Sequence, residues 1–187
     1  MKICQTSLMA FVFALVLPGC GKSFELQSSA FQNNGFIPGK YGYGKDDGRA
    51  NISLPFNWIN PPEGTQSFAL IFYHPNFNYI RWAVFNIPAS CNEISENASG
   101  KNMPEGSIEL PNFRRTTPPY YGPEPQPESA PYKYIATLFA LNVPVINGLE
   151  YYKTYWEINE LLDGKVIAKT ELTGVQSIKR RSLLIPN

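Results

Sequence analysis

Apolar residues along this chain gather into short runs of strand length, separated by turn-forming segments. Phe68 to Tyr73 is one such run, and Ile80 to Phe85, rich in aromatic and β-branched residues, is a second. Tyr132 to Leu141 is apolar beyond Tyr134, as expected of a central strand buried on both faces. Further strands are predicted over Phe24–Gln27, Asn51–Leu54, Ser107–Leu110 and Val166–Leu172, with the Ile80 strand ending at Asn86-Ile87-Pro88 because proline lacks the ladder donor. One segment has helical periodicity. Leu149 to Leu162 places Tyr151, Tyr155, Ile158 and Leu162 on one face, and Asp163-Gly164 supplies a left-handed stop. The pattern predicts a mainly β, single-domain protein with few helices.

The first residues read differently. Lys2 is followed by ten apolar residues, Leu8 to Leu17, a run too short to span a bilayer, which needs about 20. It suits the core of a signal peptide. The run closes in Leu17-Pro18-Gly19-Cys20, similar to the lipobox of bacterial lipoproteins. Residues 1–19 are then a lipoprotein signal peptide, Cys20 is the lipidation site, and residues 20–187 form the domain, with a core over about 24–175. This predicts an exported protein anchored to a bacterial cell membrane and facing the periplasm. Gly21 in place of an aspartate favours the outer membrane over the inner. The alternative is an ordinary secretory signal cleaved nearby.

Composition narrows the chemistry. The 187 residues include 17 prolines and 14 glycines, as a fold of many strands and turns requires. Six of those prolines lie in Thr116 to Pro131, making a stiff loop suited to walling a site. The net charge of +1 lacks the basic stripe of a nucleic-acid binder, and the cluster Lys179-Arg180-Arg181 reads as a solvated tail. Once Cys4 leaves with the signal and Cys20 is acylated, Cys91 has no cysteine to pair with. His74 is the one histidine, which leaves no material for a His-rich metal site, and no Gly-x-Ser-x-Gly elbow occurs. No catalytic residue, metal or cofactor is expected.

Several segments, in order, carry a resemblance. They are Asn51-Ile52-Ser53-Leu54-Pro55-Phe56-Asn57-Trp58; Pro62-Glu63-Gly64-Thr65-Gln66-Ser67-Phe68-Ala69-Leu70; Trp82 with Asn86-Ile87-Pro88-Ala89; Tyr121-Gly122-Pro123-Glu124-Pro125; and Tyr132-Lys133-Tyr134. Together they resemble the phosphatidylethanolamine-binding protein (PEBP) family, also called Raf-kinase-inhibitor-like, in its bacterial branch. The resemblance implies an antiparallel β-sandwich with a short C-terminal helix and few peripheral helices. It also implies a small anion-binding cavity that accepts phosphate-like headgroups or small carboxylates.

Carried over by position, the family's cavity maps onto His74, Asn76, Arg81, Tyr132 and Tyr134. Of these, Tyr134 alone keeps the family identity. His74 and Asn76 stand where the resemblance implies aspartates, and Arg81 stands where it implies a histidine before Trp82. An always-charged guanidinium thus replaces acidic groups. Two arrangements are open: Arg81 turns to solvent, or an anion neutralises it inside the site. The first suits a degenerate, occluded pocket and an interaction or inhibitor module with a protein partner. The second suits a binder of a small anion or phospholipid headgroup. The resemblance also implies a homodimer in some relatives, which no residue here shows independently.

Overall fold

The computed structural model describes residues 22–44, 48–126 and 130–177. The predicted anchor cysteine, Cys20, and the basic cluster at 179–181 lie outside them. The elements are β1 (Glu25–Gln27), β2 (Gly35–Phe36), a 3₁₀ turn (Gly39–Tyr41), β3 (Phe56–Ile59), β4 (Ser67–His74), β5 (Tyr79–Pro88), β6 (Glu93–Ile94), β7 (Ile108–Leu110), β8 (Tyr132–Leu141), α1 (Tyr155–Leu161) and β9 (Val166–Gln176).

Six strands form one sheet in the order β2-β9-β8-β4-β5-β7, and β1-β3-β6 form a second. All pairings are antiparallel except the two-residue β2–β9 contact. Every residue of β4 is buried, because the sheet is covered on both faces. On one face Phe68, Leu70, Phe72, Trp82, Val84 and Leu138 meet Leu26, Phe56 and Trp58 of the small sheet. On the other, Ala69, Ile71, Phe85 and Phe139 meet Ile146, Tyr155, Ile158 and Leu162 in and around α1. Period-two alternation sorts the strand side chains between two separate cores. The mainly β sandwich with a short late helix matches the expectation from sequence.

Four predicted elements differ in extent by more than one residue, among them β9, which continues from the expected Leu172 to Gln176. Asn51–Leu54 is not a strand; pairing begins after Pro55, at Phe56. Asn51 has φ of 51°, and its amide bridges two segments, donating to the Tyr120 carbonyl at 3.1 Å and accepting from Gly122 N–H at 2.8 Å. A residue holding that conformation cannot extend a ladder. The helix is limited to Tyr155–Leu161 instead of starting at Leu149. Thr154 caps it in a capping box with Glu157. The residues before it are drawn out against β5, where Ile80 N–H donates to the Lys153 carbonyl at 3.0 Å and Tyr79 bridges Thr154. Finally, β5 runs through Asn86 to Pro88.

Asn86 shows why the strand bends there without ending. It has φ of 56°, next to the irregular register between Phe68/Leu70 and their β5 partners. Its buried side chain accepts from Ile146 N–H at 2.8 Å and donates to the Ile146 carbonyl at 3.3 Å. Asn86 therefore ties the sheet to the loop that leads into α1. Replacing Asn86 with Ala removes both bonds and puts a Cβ-bearing, non-Asx residue in the left-handed region. We expect a loss of about 2–3 kcal/mol, read as a lower denaturation midpoint with unchanged m.

Candidate functional site

The site lies at the end of β4, where the two-core burial reaches the β4–β5 turn. Phe72 pairs with Trp82, and Tyr73 with Ile80. Arg81 is the extra residue between those pairs, a β-bulge. Bulges re-aim side chains, and this one lets Arg81 share the Trp82 side of the sheet while Ile80 packs on the other. Simple alternation would have placed Arg81 opposite Trp82.

Arg81 points inward and is 6% exposed. Its guanidinium carbon lies 5.2 Å from the ring centres of Tyr121 and Tyr134 and 5.4 Å from that of Phe113. One terminal nitrogen, Nη1, donates to the Gly122 carbonyl at 2.7 Å. Nε is buried and has no partner. Neither ion pair among the described residues, Lys40–Glu96 and Lys169–Glu171, includes Arg81. Burial pulls its pKa down, while Tyr134, Tyr121 and Glu124 act in the opposite direction. An arginine does not lose its proton in this range, so the site contains a buried positive charge held by rings and one carbonyl.

The chain around it is fixed by backbone bonds from β5 itself. The Arg81 carbonyl accepts from Tyr121 N–H at 2.8 Å, and the Ile80 carbonyl accepts from Phe113 N–H at 3.1 Å. These two bonds set both rings against the guanidinium. Gly122 is constrained further: a Cβ there would fall onto the Tyr41 carbonyl oxygen. Close approach of two backbones thus requires glycine. Tyr134 accepts a hydrogen bond from Glu124 N–H at 3.1 Å, and the Glu124 carboxylate accepts from the Tyr121 hydroxyl at 2.7 Å. Burial pushes the Tyr134 phenol up to about 12.

His74 sits beside this cluster at 1% exposure, and both ring nitrogens lack a partner. Its ring meets Tyr132 and Tyr134 edge-on, at 5.0 and 5.2 Å, and tilts against Phe77 at 4.8 Å. Burial first, and the Arg81 charge second, lower its pKa to about 4, so the imidazole is neutral near pH 7. Across β8 and β9, Tyr132 pairs with Gln176, whose Oε1 is a further buried acceptor without a partner. A buried polar atom left unpaired is costly.

Four of the five site residues expected from sequence are thus gathered: His74, Arg81, Tyr134 and, half-buried at the border, Tyr132. Asn76 is not with them; it is exposed on the turn between β4 and β5, because the strand ends at His74. The solvent-facing alternative for Arg81 does not hold. Phe113 and the Gly122 carbonyl were absent from the expected set. The Tyr121-Gly122-Pro123 segment pointed toward the second, through the Pro-rich loop's expected role as a wall. Phe113 carries no such signal. Among the described residues no three His, Cys, Asp or Glu side chains lie together as a metal site would need, and no helix is long and apolar enough to cross a membrane.

The fold is thus a two-layer β-sandwich that buries a cation among aromatic rings at one end of its main sheet. The chain belongs to the phosphatidylethanolamine-binding protein family, whose model matches residues 27–177. It is 30% identical over 161 residues to a UPF0098 protein of Aquifex aeolicus, covering 83% of this chain and 89% of that one. It is 28% identical over 192 residues to the UPF0098 protein YbcL of Escherichia coli, covering 94% and 100%. The crystal structure of E. coli YbcL, described as a new member of the mammalian PEBP family, superposes with a TM-score of 0.74 at 25% identity, over 83% of this chain and 99% of that one. A PEBP homolog from Chlamydia trachomatis, CT736, gives 0.65 at 26% identity, over 82% and 96%.

The low pKa of His74 has a consequence for acid stability. The unfolded chain protonates this group near pH 6.5, the folded one near 4. The unfolded state therefore binds the extra proton, and stability falls as pH drops through that window. It is fully retained above about pH 6.5, and the total loss by pH 4 is about 3 kcal/mol. Urea midpoints measured between pH 7 and 4 should show this fall, and His74→Phe should flatten it.

Proposed function

We propose that this chain is a non-catalytic binding domain whose site at Arg81 and His74 holds a small anion or an anionic lipid headgroup. One observation carries the reading: the Arg81 guanidinium is buried with no carboxylate partner and with Nε unpaired. A forked cation in that state is completed by an oxyanion, which accepts from the free N–H and offsets the charge. His74, with a donor on one nitrogen and an acceptor on the other, belongs to the same cluster through Tyr134, with Tyr132 beside it. Asn76 has no part in this version of the site.

A second reading draws on the rings and the Gly122 carbonyl, which hold the guanidinium by themselves. On that reading the pocket is closed, and the Pro-rich loop and its surroundings bind a protein. Thermal unfolding with added phosphate, acetate or citrate separates the two, since a ligand raises Tm by mass action. We expect at least one anion to raise Tm in the wild type. Arg81→Met keeps the side-chain bulk against the rings and should leave the anion-free protein at least as stable, yet unresponsive to anions. Absence of any response in the wild type favours the closed site.

We further propose that the domain is exported and anchored by lipid on Cys20 after removal of residues 1–19, facing the periplasm from the outer membrane. The apolar run Leu8–Leu17 and the Leu17-Pro18-Gly19-Cys20 ending support this. One acyl chain anchors marginally and several anchor firmly. In cells fed labelled palmitate, the wild type should carry label in the membrane fraction, and Cys20→Ala should not.

A further inference from the structure

We propose that the open edge of β9 is a docking site for an extended segment of another protein, which joins the large sheet as a further strand and carries a lysine or arginine on each of its faces. The surface shares no residue with the Arg81 cluster and stands independently of the anion reading.

The open edge begins where β2 stops. Thr173 turns its backbone away from β8: its N–H donates to Asn33 Oδ1 at 3.0 Å, and its carbonyl accepts from Asn34 N–H at 2.7 Å. The period of two turns Glu171 and Lys169 the same way, and no described residue bonds to their backbone groups. Unpaired N–H and carbonyl groups therefore line the border from the Asn33 loop to Ile167. That residue is the bulge left over where Ala140 pairs with Ala168 and Leu141 with Val166.

This edge has a cavity on each face of the strand. On the small-sheet side, a space of about 450 Å³ is walled by Leu26, Phe31 and Leu172 and includes the exposed Glu25. On the α1 side, a space of about 490 Å³ is walled by Phe139 and Leu162 and includes the exposed Asp163. Successive side chains of an added strand point to opposite faces, so neighbours enter one cavity each. Both cavities join apolar walls to a carboxylate. Glu25 and Asp163 take part in neither ion pair among the described residues. The nearby lysines are engaged: Lys169 pairs with Glu171 at 3.3 Å, and Lys165 Nζ donates to the Leu161 carbonyl at 2.8 Å. An apolar wall ending in a carboxylate suits the stem and charged head of a lysine or arginine. A second copy does not fit as the occupant. Its β9 would pair along the edge on which its own β2 and Asn33 loop stand, and these would collide with the first copy. A free extended segment carries no such obstacle.

The test uses two end-capped peptides on the purified protein, followed by amide NMR and hydrogen exchange. Thr-Val-Lys-Arg-Val-Thr places one basic and one apolar side chain on each face of a strand, and Thr-Val-Glu-Glu-Val-Thr reverses the charge. The basic peptide should bind and slow exchange at the Lys169 and Glu171 amides, and the acidic one should bind about tenfold or more weakly. Lys169→Pro removes an outward N–H that no described residue uses, a change an edge strand tolerates, and should abolish binding. Lys169→Ala loses the ion pair with Glu171, retains the N–H and should bind at least as well as the wild type. Exchange in the wild type decides the matter even if the proline variant fails to fold. Binding without protection of those two amides, equal affinity for the two peptides, or no binding of either overturns the proposal. So does a dimer that protects the same amides, or binding that appears only once residues 178–187, with Lys179-Arg180-Arg181, are removed. A second copy or the chain's own tail would then be the occupant.

Discussion

The double burial of β4 is the constraint from which the site follows. All eight of its residues are covered, with the small sheet on one face and α1 on the other. A strand in that position has its backbone groups paired on both sides, to β5 and β8, and leaves no polar side chain in contact with water. His74, the last of its residues, inherits that environment. Its nitrogens are left without partners because the neighbours that bury it are rings. The space next to it belongs to Arg81, carried there by the one irregularity in the β4–β5 register on that side.

Burying a guanidinium among rings reverses the usual accounting for a charged core residue. Desolvation opposes the arrangement. Ring faces, the Gly122 carbonyl and the more distant Glu124 offset part of it. The surrounding loops are organised to keep those offsets in place: Asn51 grips the segment from Tyr120 to Gly122 from one side, and Gly122 seats it against Tyr41 from the other. Removing the arginine charge while retaining its bulk is for that reason a clean perturbation, whereas moving Gly122 would disturb every partner at once.

The long apolar strands were readable because their burial is nearly complete, and burial is what hydrophobic pattern reports. The apolar runs mark β8 at its observed bounds and β4 to within one residue at each end. Short elements were less legible. β2 and β6 have two residues each, too few to carry a period. Asn51–Leu54 looked like a strand from its composition, yet Asn51 serves as a clamp between loops, a task set by residues some seventy positions away. Tyr151 sits at helical spacing from Tyr155, which extends the helix expected from sequence, but the backbone before Thr154 bonds to β5 instead. The direction of Arg81 was beyond a pattern argument altogether: one bulged residue reverses the face, and a bulge has no signature in the apolar sequence. The expected acids and their replacements are visible by position; two of the rings around the charge, Phe113 and Tyr121, come from the irregular segment between β7 and β8, where no periodicity marks them.

The large sheet ends at β2, two residues long and parallel to its neighbour, and at β7, three residues long. A strand edge recruits another chain in proportion to the unpaired amides and carbonyls it displays. β7 displays few, but β2 covers only Gly174 and Val175 of β9, so the border on that side is mostly the edge of β9 itself. Addition of a further strand is thereby confined to one border, and there the exposed Lys169 and Glu171 place charges along β9, a common guard against indiscriminate edge pairing.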